Sequence, residues 1–206
     1  THAGISVGED GATHQCNEDI ALMRTIPGMV VINPSDDIEA RAAVRAAYEY
    51  VGPVYMRFGR LAVPVINDRP DYKFEMGKGI VLREGKDLTI VANGLCVAAS
   101  LEAAEKLAAD GIDAKVINIH TIKPLDEEIV LAAARDCGKI ITCEEHSVIG
   151  GLGEAVCALL SEKHPTPVKR IGVNDEFGHS GPAAALLKEA GLSAEHIVEV
   201  AKEFCN

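Results

Sequence analysis

The stretch Leu88-Thr89-Ile90-Val91-Ala92 is a short run rich in β-branched and apolar residues, which is typical of a buried strand. An alanine-rich amphipathic stretch over 97–109 follows, and a second β-branched run occupies 114–119. Two strands joined by a helix of this length form a crossover, and crossovers connect parallel neighbours. The stretch therefore predicts an α/β fold with a mostly parallel sheet.

The same alternation extends toward both ends of the chain. Because the turn 84–87 is too short for a parallel crossover, we expect the strands 79–83 and 88–92 to pair as an antiparallel hairpin. Further strands are predicted over 29–33, 53–58, 139–143 and 168–173. Further helices are predicted over 37–50, 126–136, 153–163, 182–190 and 194–204, with Pro34-Ser35-Asp36 and Ser193 as N-terminal caps.

The region after the strand predicted over 53–58 shows no sustained periodicity of apolar residues. It contains Pro64, Pro70 and the pair Asn67-Asp68, all typical of irregular structure. We therefore predict a linker over 67–77, which separates a partial α/β domain at 1–66 from a three-layer α/β domain at 78–206. The second domain is expected to hold a mostly parallel sheet with one antiparallel strand.

Composition and charge limit the classes of function. A net charge of -11 without a basic cluster argues against nucleic-acid binding. No apolar run approaches the roughly 20 residues that span a bilayer, and no signal peptide is recognisable, so we expect a cytoplasmic protein without membrane partners. The six cysteines form no Cys-x-x-Cys pair, which favours reduced core thiols over a zinc site.

The first fifteen residues, THAGISVGEDGATHQ, hold two imidazoles, two carboxylates and three glycines. This composition predicts an exposed ligand loop rather than a buried element. His2 and His14 are candidate proton shuttles or donors to a ligand oxygen, although a lone loop histidine more often bonds a neighbouring carbonyl. Asp10 is a candidate acceptor from a ligand hydroxyl, and its alternative role is to cap nearby backbone amides.

Two arginines lie at the carboxyl end of the strand predicted over 53–58. Arg57 and Arg60 flank Phe58-Gly59, where a guanidinium can point into the crevice at the carboxyl ends of the strands. A guanidinium suits phosphate because it donates two parallel hydrogen bonds. Arg57 has an alternative, which is to pair with Asp10 or with an acid on the helix 37–50.

The region 78–206 contains a second polar cluster. Glu144-Glu145-His146 precedes Gly150-Gly151-Leu152-Gly153 at an expected strand-to-helix turn, where backbone amides can cradle phosphate. The spacing does not fit Gly-x-Gly-x-x-Gly, so tight packing of strand on helix is the favoured reading of the glycines. His179 lies in another polar cluster and receives no role.

Two motifs carry a resemblance to a known family. THxGxxxGEDGxTHQ resembles the substrate loop of transketolases, thiamine-diphosphate enzymes that move a two-carbon ketol unit between sugar phosphates, as in the pentose phosphate pathway. EEHxxxGGLGxAV resembles their C-terminal domain. The resemblance implies that 1–66 is the latter part of the pyrimidine-binding domain and that 78–206 is the C-terminal domain.

The resemblance also implies roles for the candidate site residues. His2 would hold the sugar phosphate, and His14 would lie over the active centre as the catalytic residue. Asp10 would read a substrate hydroxyl. Arg60 matches the phosphate-binding arginine when counted back from Pro64, and Arg57 is kept as a second substrate-binding candidate.

The family pattern implies that part of the active site lies outside this chain. No residue here matches the glutamate that activates the cofactor, and Gly8-Glu9-Asp10-Gly11 has a glutamate where the metal motif Gly-Asp-Gly has a glycine. Thiamine diphosphate and its divalent cation, Mg or Ca, would be bound mainly elsewhere, and we predict no metal on this loop.

The chain begins at Thr1 rather than at a methionine. We therefore expect a fragment or subunit. Because the resemblance implies that the groups that activate the cofactor lie elsewhere, we expect it to be inactive alone. It would work on sugar phosphates as a homodimer or with a separate N-terminal thiamine-diphosphate-binding subunit. The alternatives are a 1-deoxyxylulose-5-phosphate synthase, a β subunit of a 2-oxoacid dehydrogenase, and a non-catalytic domain that dimerises or binds a sugar phosphate.

Overall fold

The computed structural model describes residues 2–205. Within them, eight strands are present: β1 Val30–Ile32, β2 Val54–Met56, β3 Ile80–Arg83, β4 Leu88–Ala92, β5 Ala114–Asn118, β6 Thr121–Lys123, β7 Ile140–Ser147 and β8 Val168–Val173. The same residues form seven α-helices: α1 Asp19–Thr25, α2 Asp37–Glu49, α3 Cys96–Ala109, α4 Glu127–Cys137, α5 Leu152–Lys163, α6 Ala183–Glu189 and α7 Ala194–Cys205.

The larger sheet has the strand order β3-β5-β4-β7-β8. β5, β4, β7 and β8 run parallel, and β3 is antiparallel to β5. Helices cover both faces: α3 and α7 share one apolar core with the sheet, while α4 and α5 share the other. The predicted α/β class, with a mostly parallel sheet and one antiparallel strand, is confirmed.

The predicted hairpin of β3 and β4 is wrong, because β5 lies between them. β4 is buried along its whole length and takes parallel partners on both sides, whereas β3 is only partly buried and forms an edge. The backbone N–H groups of Lys86 and Asp87 both donate to the carbonyl of Asp113 at 3.0 Å. The connection 84–87 thus joins β3 to β4 across the width of β5, a distance of roughly 10 Å.

A smaller sheet has the order β2-β1-β6, with β1 parallel to β2 and antiparallel to β6. The sequence analysis missed β6, which is only three residues long and belongs to the region 78–206. It also missed α1. Both elements matter because they bring the region 78–206 into direct contact with the first sixty residues.

Local capping explains several helix boundaries. The Asp36 carboxylate accepts from the N–H of Glu39 at 2.9 Å and begins α2, as predicted. Gly138 ends α4 with a positive φ of 67°. β7 continues to Ser147, so Glu144, Glu145 and His146 lie on a buried strand and not in the turn that follows it. The six cysteines are free thiols. Cys96 and Cys143 are buried in the core, as predicted, whereas the other four are only partly buried.

Candidate functional site

The loop 2–17 is anchored at its base. Backbone bridges link His2 to Phe58 and Ala3 to Cys16. The N–H of Ala3 donates to the carbonyl of Phe58 at 3.1 Å, and the N–H of Gly4 donates to the carbonyl of Cys16 at 3.0 Å. The loop therefore begins and ends beside the carboxyl end of β2, close to Arg60.

The middle of the loop is more buried than predicted. Ile5–Asp10 forms 3-10 turns, and Ile5, Ser6, Val7 and Gly8 are buried. Ile5 belongs to the same apolar core as α3 and α7, which explains why this polar stretch folds inward. The Gln15 side chain closes the loop from within, because its amide donates to the carbonyls of Ile5 at 3.2 Å and His179 at 2.9 Å.

Glu145 of β7, in the larger sheet, supports the loop 2–17. Its carboxylate accepts from the N–H of Ser6 at 2.6 Å. Gly4 has a φ of 68°, and a Cβ there would overlap the Glu145 carboxyl group. Burial raises the pKa of Glu145, and the charge of Arg57 opposes that shift.

Four of the predicted site residues face solvent: His2, Asp10, His14 and Arg60. The structure brings Asp10 and Arg60 together as an ion pair, with side chains 39% and 49% exposed. His14 Nδ1 lies 3.0 Å from the Thr13 hydroxyl. The loop thus presents imidazole and carboxylate groups on its exposed side, next to the guanidinium of Arg60, while residues 5–8 are buried.

Arg57 is a correction to the sequence analysis. Its side chain is 1% exposed, and its Nε donates to the two carboxylate oxygens of Asp19 at 3.1 and 2.9 Å. Its Nη2 donates to the carbonyl of Cys16 at 2.8 Å, at the base of the loop. Arg57 pairs neither with Asp10 nor with α2, because its partner lies on α1, a helix that was not predicted. It supports the loop from below and does not face a ligand.

A cavity of about 360 Å³ lies beside the base of the loop, with Ala3, Phe58 and Leu61 among its lining residues. Most of its wall is apolar. The carboxylate of Asp36, which also lines it, is already occupied by the N–H groups of Ile66 and Asn67, both at 2.8 Å. The exposed side of the loop is therefore a better candidate for binding a polar ligand than this cavity is.

The glycine-rich turn after β7 is filled by a side chain. The Glu144 carboxylate accepts from the N–H groups of Leu152 at 2.7 Å and Gly153 at 2.8 Å. These are the donors at the N-terminus of α5 that a phosphate would use. A Cβ at Gly151 would overlap the same carboxylate, so the glycines permit tight packing of strand and helix.

Sequence reasoning missed three residues that shape the site: Gln15, Asp19 and Glu145. Each makes a contact whose partner lies far away in the chain or on an unpredicted helix. The only local signal was the pair Glu144-Glu145, since two adjacent acids on a strand that is buried on both faces require buried partners. His179, which had received no role, supplies the carbonyl that binds Gln15.

Comparisons with known proteins cover the whole chain. A family model described as "Transketolase, pyrimidine binding domain" matches residues 1–65, and one described as "Transketolase, C-terminal domain" matches residues 77–197. A putative transketolase C-terminal section of Methanocaldococcus jannaschii is 47% identical over 201 residues, which cover 97% of this chain and 63% of the relative. The 6-deoxy-6-sulfo-D-fructose transketolase subunit SqwH of Clostridium sp. is 46% identical over 200 residues, which cover 97% of this chain and 62% of the relative.

Related enzymes and solved structures agree with this result. A 1-deoxy-D-xylulose-5-phosphate synthase of Heliobacterium modesticaldum is 41% identical over 205 residues, covering 98% of this chain and 32% of the enzyme. A structure described as a split gene transketolase, inactive beta4 tetramer, is 50% identical, with a TM-score of 0.91 over 99% of this chain and 65% of that one. Transketolase from Leishmania mexicana gives a TM-score of 0.78 at 25% identity, and the match covers 99% of this chain and 29% of that one.

The chain thus spans less than two thirds of the length of the two curated relatives that are named as a transketolase section or subunit. Among residues 2–205, no helix has both the length and the apolar character that a membrane crossing requires.

Proposed function

The chain belongs to the transketolase family, and we propose that it is the sugar-phosphate-binding C-terminal part of a transketolase. The complete enzyme would transfer a two-carbon ketol unit from a ketose phosphate to an aldose phosphate. The observation that carries this proposal is the Asp10–Arg60 contact on the exposed side of the loop that also holds His2 and His14. These groups are the donors and acceptors that hydroxyls and a phosphate require.

In this proposal each exposed group has one task. Arg60 binds the phosphate, and Asp10 accepts from a hydroxyl and so selects the configuration of the sugar. His2 donates to the phosphate end, and His14 donates to the hydroxyls beside the reacting carbon. Asp10 and Arg60 must separate to do this, at little cost, because an exposed ion pair contributes only about 0–1 kcal/mol.

The described residues do not fit the diphosphate and metal of the cofactor. The amides of Leu152 and Gly153 are occupied by Glu144, and within 2–205 no three His, Cys, Asp or Glu side chains are grouped as the ligands of a cation. We therefore derive no step through thiamine diphosphate. We propose that other chain segments hold it together with its Mg or Ca ion.

We also propose that activity requires an assembly. Relatives named as transketolase subunits, and a split gene transketolase described as an inactive tetramer, support a division of the enzyme between polypeptides. The partner would be a thiamine-diphosphate-binding chain in the cytoplasm, and homodimerisation would pair two copies of this chain. The division at the linker 67–77 and the individual site roles remain part of the same proposal.

Calorimetric titration of the chain with fructose 6-phosphate tests the binding step. We expect Arg60→Ala to weaken binding by about tenfold or more, since a hydrogen bond to a charged group contributes about 1.5–3 kcal/mol. Arg41→Ala is a matched control, because Arg41 is also an exposed arginine, paired with Asp37 on α2. Equal affinities for the two variants would contradict the proposed site.

An activity assay tests the reaction. We expect ketol transfer when the chain is combined with a thiamine-diphosphate-binding subunit from the same organism, and none from the chain alone. Ketol transfer by the chain alone would contradict the proposal. Consumption of pyruvate by the assembly would instead favour 1-deoxyxylulose-5-phosphate synthase, an alternative supported by the 41% identity to such an enzyme.

A further inference from the structure

The larger domain holds the substrate loop through one buried carboxylate. We propose that Glu145 is a positioning residue: by binding the backbone of Ser6 it sets the shape of the loop 2–17 that presents His2, Asp10 and His14. This inference rests on the proposed function. It gives the region 78–206 a part in sugar-phosphate binding, although none of its side chains is among the proposed ligand contacts.

The geometry of Glu145 supports a specific contact. The residue lies on β7 and is 3% exposed. Its Oε1 accepts from the N–H of Ser6 at 2.6 Å, a short charge-assisted hydrogen bond. Ser6 is four residues before Asp10, and the two lie in successive 3-10 turns that meet at a kink at Gly8. Because this connection is so short, a shift at Ser6 should move the carboxylate that pairs with Arg60.

The loop has little room for another arrangement. Gly4, two residues before Ser6, has a φ of 68°, and its missing side chain is what allows the Glu145 carboxyl to approach. On the far side of the loop, Gln15 donates to the carbonyl of His179, which also belongs to the larger domain. The loop is therefore held between β7 and the segment before α6.

A buried carboxylate costs stability unless it is hydrogen-bonded or paired. The nearest cation is Arg57, which is already paired with Asp19. Burial raises the pKa of Glu145, and Arg57 and the hydrogen bonds with Ser6 oppose the shift. An apolar side chain would avoid this cost. The contact with the Ser6 N–H supports a carboxylate at this place, which is also on the wall of the cavity beside the loop.

The neighbouring residue provides a matched control. Glu144 is also buried, at 1% exposure, but it points the other way and caps α5 through Leu152 and Gly153. Glu144→Ala and Glu145→Ala thus delete the same group at the same depth on one strand. Only Glu145→Ala removes a partner of the loop.

Amide hydrogen exchange, measured by NMR on the full 206-residue chain, tests the contact without a ligand. Glu145→Ala should speed exchange of the Ser6 amide by about tenfold or more relative to Glu144→Ala, whereas Glu145→Gln, which keeps an acceptor oxygen, should retain the protection. Should Glu145→Ala fail to fold, Gly4→Ala replaces it, because the added Cβ displaces the carboxylate and should have the same effect. Equal Ser6 exchange in the alanine variants at 144 and 145, or in Gly4→Ala and wild type, would overturn the inference.

Titration with fructose 6-phosphate then connects the contact to binding. Glu145→Ala should weaken binding by about tenfold, and Glu144→Ala and Glu145→Gln by less than about threefold. If the wild-type chain and its complex with the thiamine-binding subunit both fail to bind this probe while the Ser6 effect is present, the proposed function is wrong and the loop contact stands. If the probe binds equally to all variants, the positioning role is wrong and the proposed function stands.

Discussion

Arg57 and Arg60 lie three residues apart and have opposite environments. Arg57 is buried against Asp19 and the carbonyl of Cys16, while Arg60 is half-exposed and pairs with Asp10. Removing one member of a buried pair leaves an uncompensated charge, which typically costs about 3–5 kcal/mol. We therefore expect Arg57→Ala to lower the free energy of unfolding by that amount, measured by urea denaturation.

Arg60→Ala is the comparison for the effect of Arg57→Ala on stability. Because Arg60 is exposed, its loss should change stability by about 0.5 kcal/mol or less while it reduces ligand binding. A double variant, Arg57→Met with Asp19→Leu, should recover much of the stability lost in Arg57→Ala, since it removes both buried charges. If Arg57→Ala were as stable as Arg60→Ala, the buried pair would not be a structural element.

The two arginines also show how far residue types alone can lead. Asp10 was recognisable from the loop motif, and Arg60 from its place after a strand and its spacing to Pro64. The structure places the two side chains in contact. Arg57 looked equivalent because it follows the same strand, and nothing in its neighbourhood indicated Asp19. Its environment depends on α1, whose seven residues are too few for a clear helical period.

At the scale of elements, the N-terminus of α5 depends on the ionisation of Glu144. Burial raises the pKa of Glu144 from 4.5 to about 7. The hydrogen bonds from Gly153 and Leu152 and the charges of Arg57 and Arg24 act in the opposite direction and limit this rise. The folded chain thus holds this proton more tightly than the unfolded chain. Its contribution to stability is fully present below pH 4.5 and is lost as the pH rises to about 7.

Glu144→Gln removes this titration. We expect the free energy of unfolding of wild type, relative to Glu144→Gln, to fall by on the order of 3 kcal/mol between pH 4.5 and 7 and to be flat above. His146 Nδ1 lies 3.9 Å from Glu144, and burial lowers the pKa of this histidine below its ordinary value. Urea titrations of both proteins across this range measure the difference. A constant difference would show that Glu144 keeps an ordinary pKa.

Element boundaries were largely predictable, and element partners were not. The β-branched runs and the caps at Asp36 and Ser193 are local signals, so most helices and strands lie within two residues of their predicted bounds. Pairing of β3 with β4 was predicted from loop length alone. The strand order was decided instead by burial, because β4 can satisfy both of its edges only between β5 and β7.

At the scale of the whole molecule, the region after the linker completes the sheet of the region before it. β6 pairs with β1, and Ile122 packs with Ile20 and Val31 in one small core. The Lys123 ammonium donates to the carbonyls of Arg24 at 2.8 Å and Ile26 at 2.6 Å. The composition shift at 67–77 predicted a linker and gave no sign of these contacts across it.

This arrangement predicts unequal behaviour of the two parts. Residues 78–206 contain the five strands of the larger sheet and most of both of its cores, so they should fold alone. The amides expected to lose protection are those of β6 and those of Gly94 and Ser147, which donate to the carbonyls of Asn33 and Asn17. Residues 1–66 keep only β1 and β2, and a two-stranded sheet is marginal in water, so they should be unfolded by circular dichroism and NMR. Adding 78–206 should restore their structure, because it returns β6 and Glu145. A folded 1–66 would mean that the loop 2–17 does not need the region 78–206, which would also remove the basis for the positioning role of Glu145.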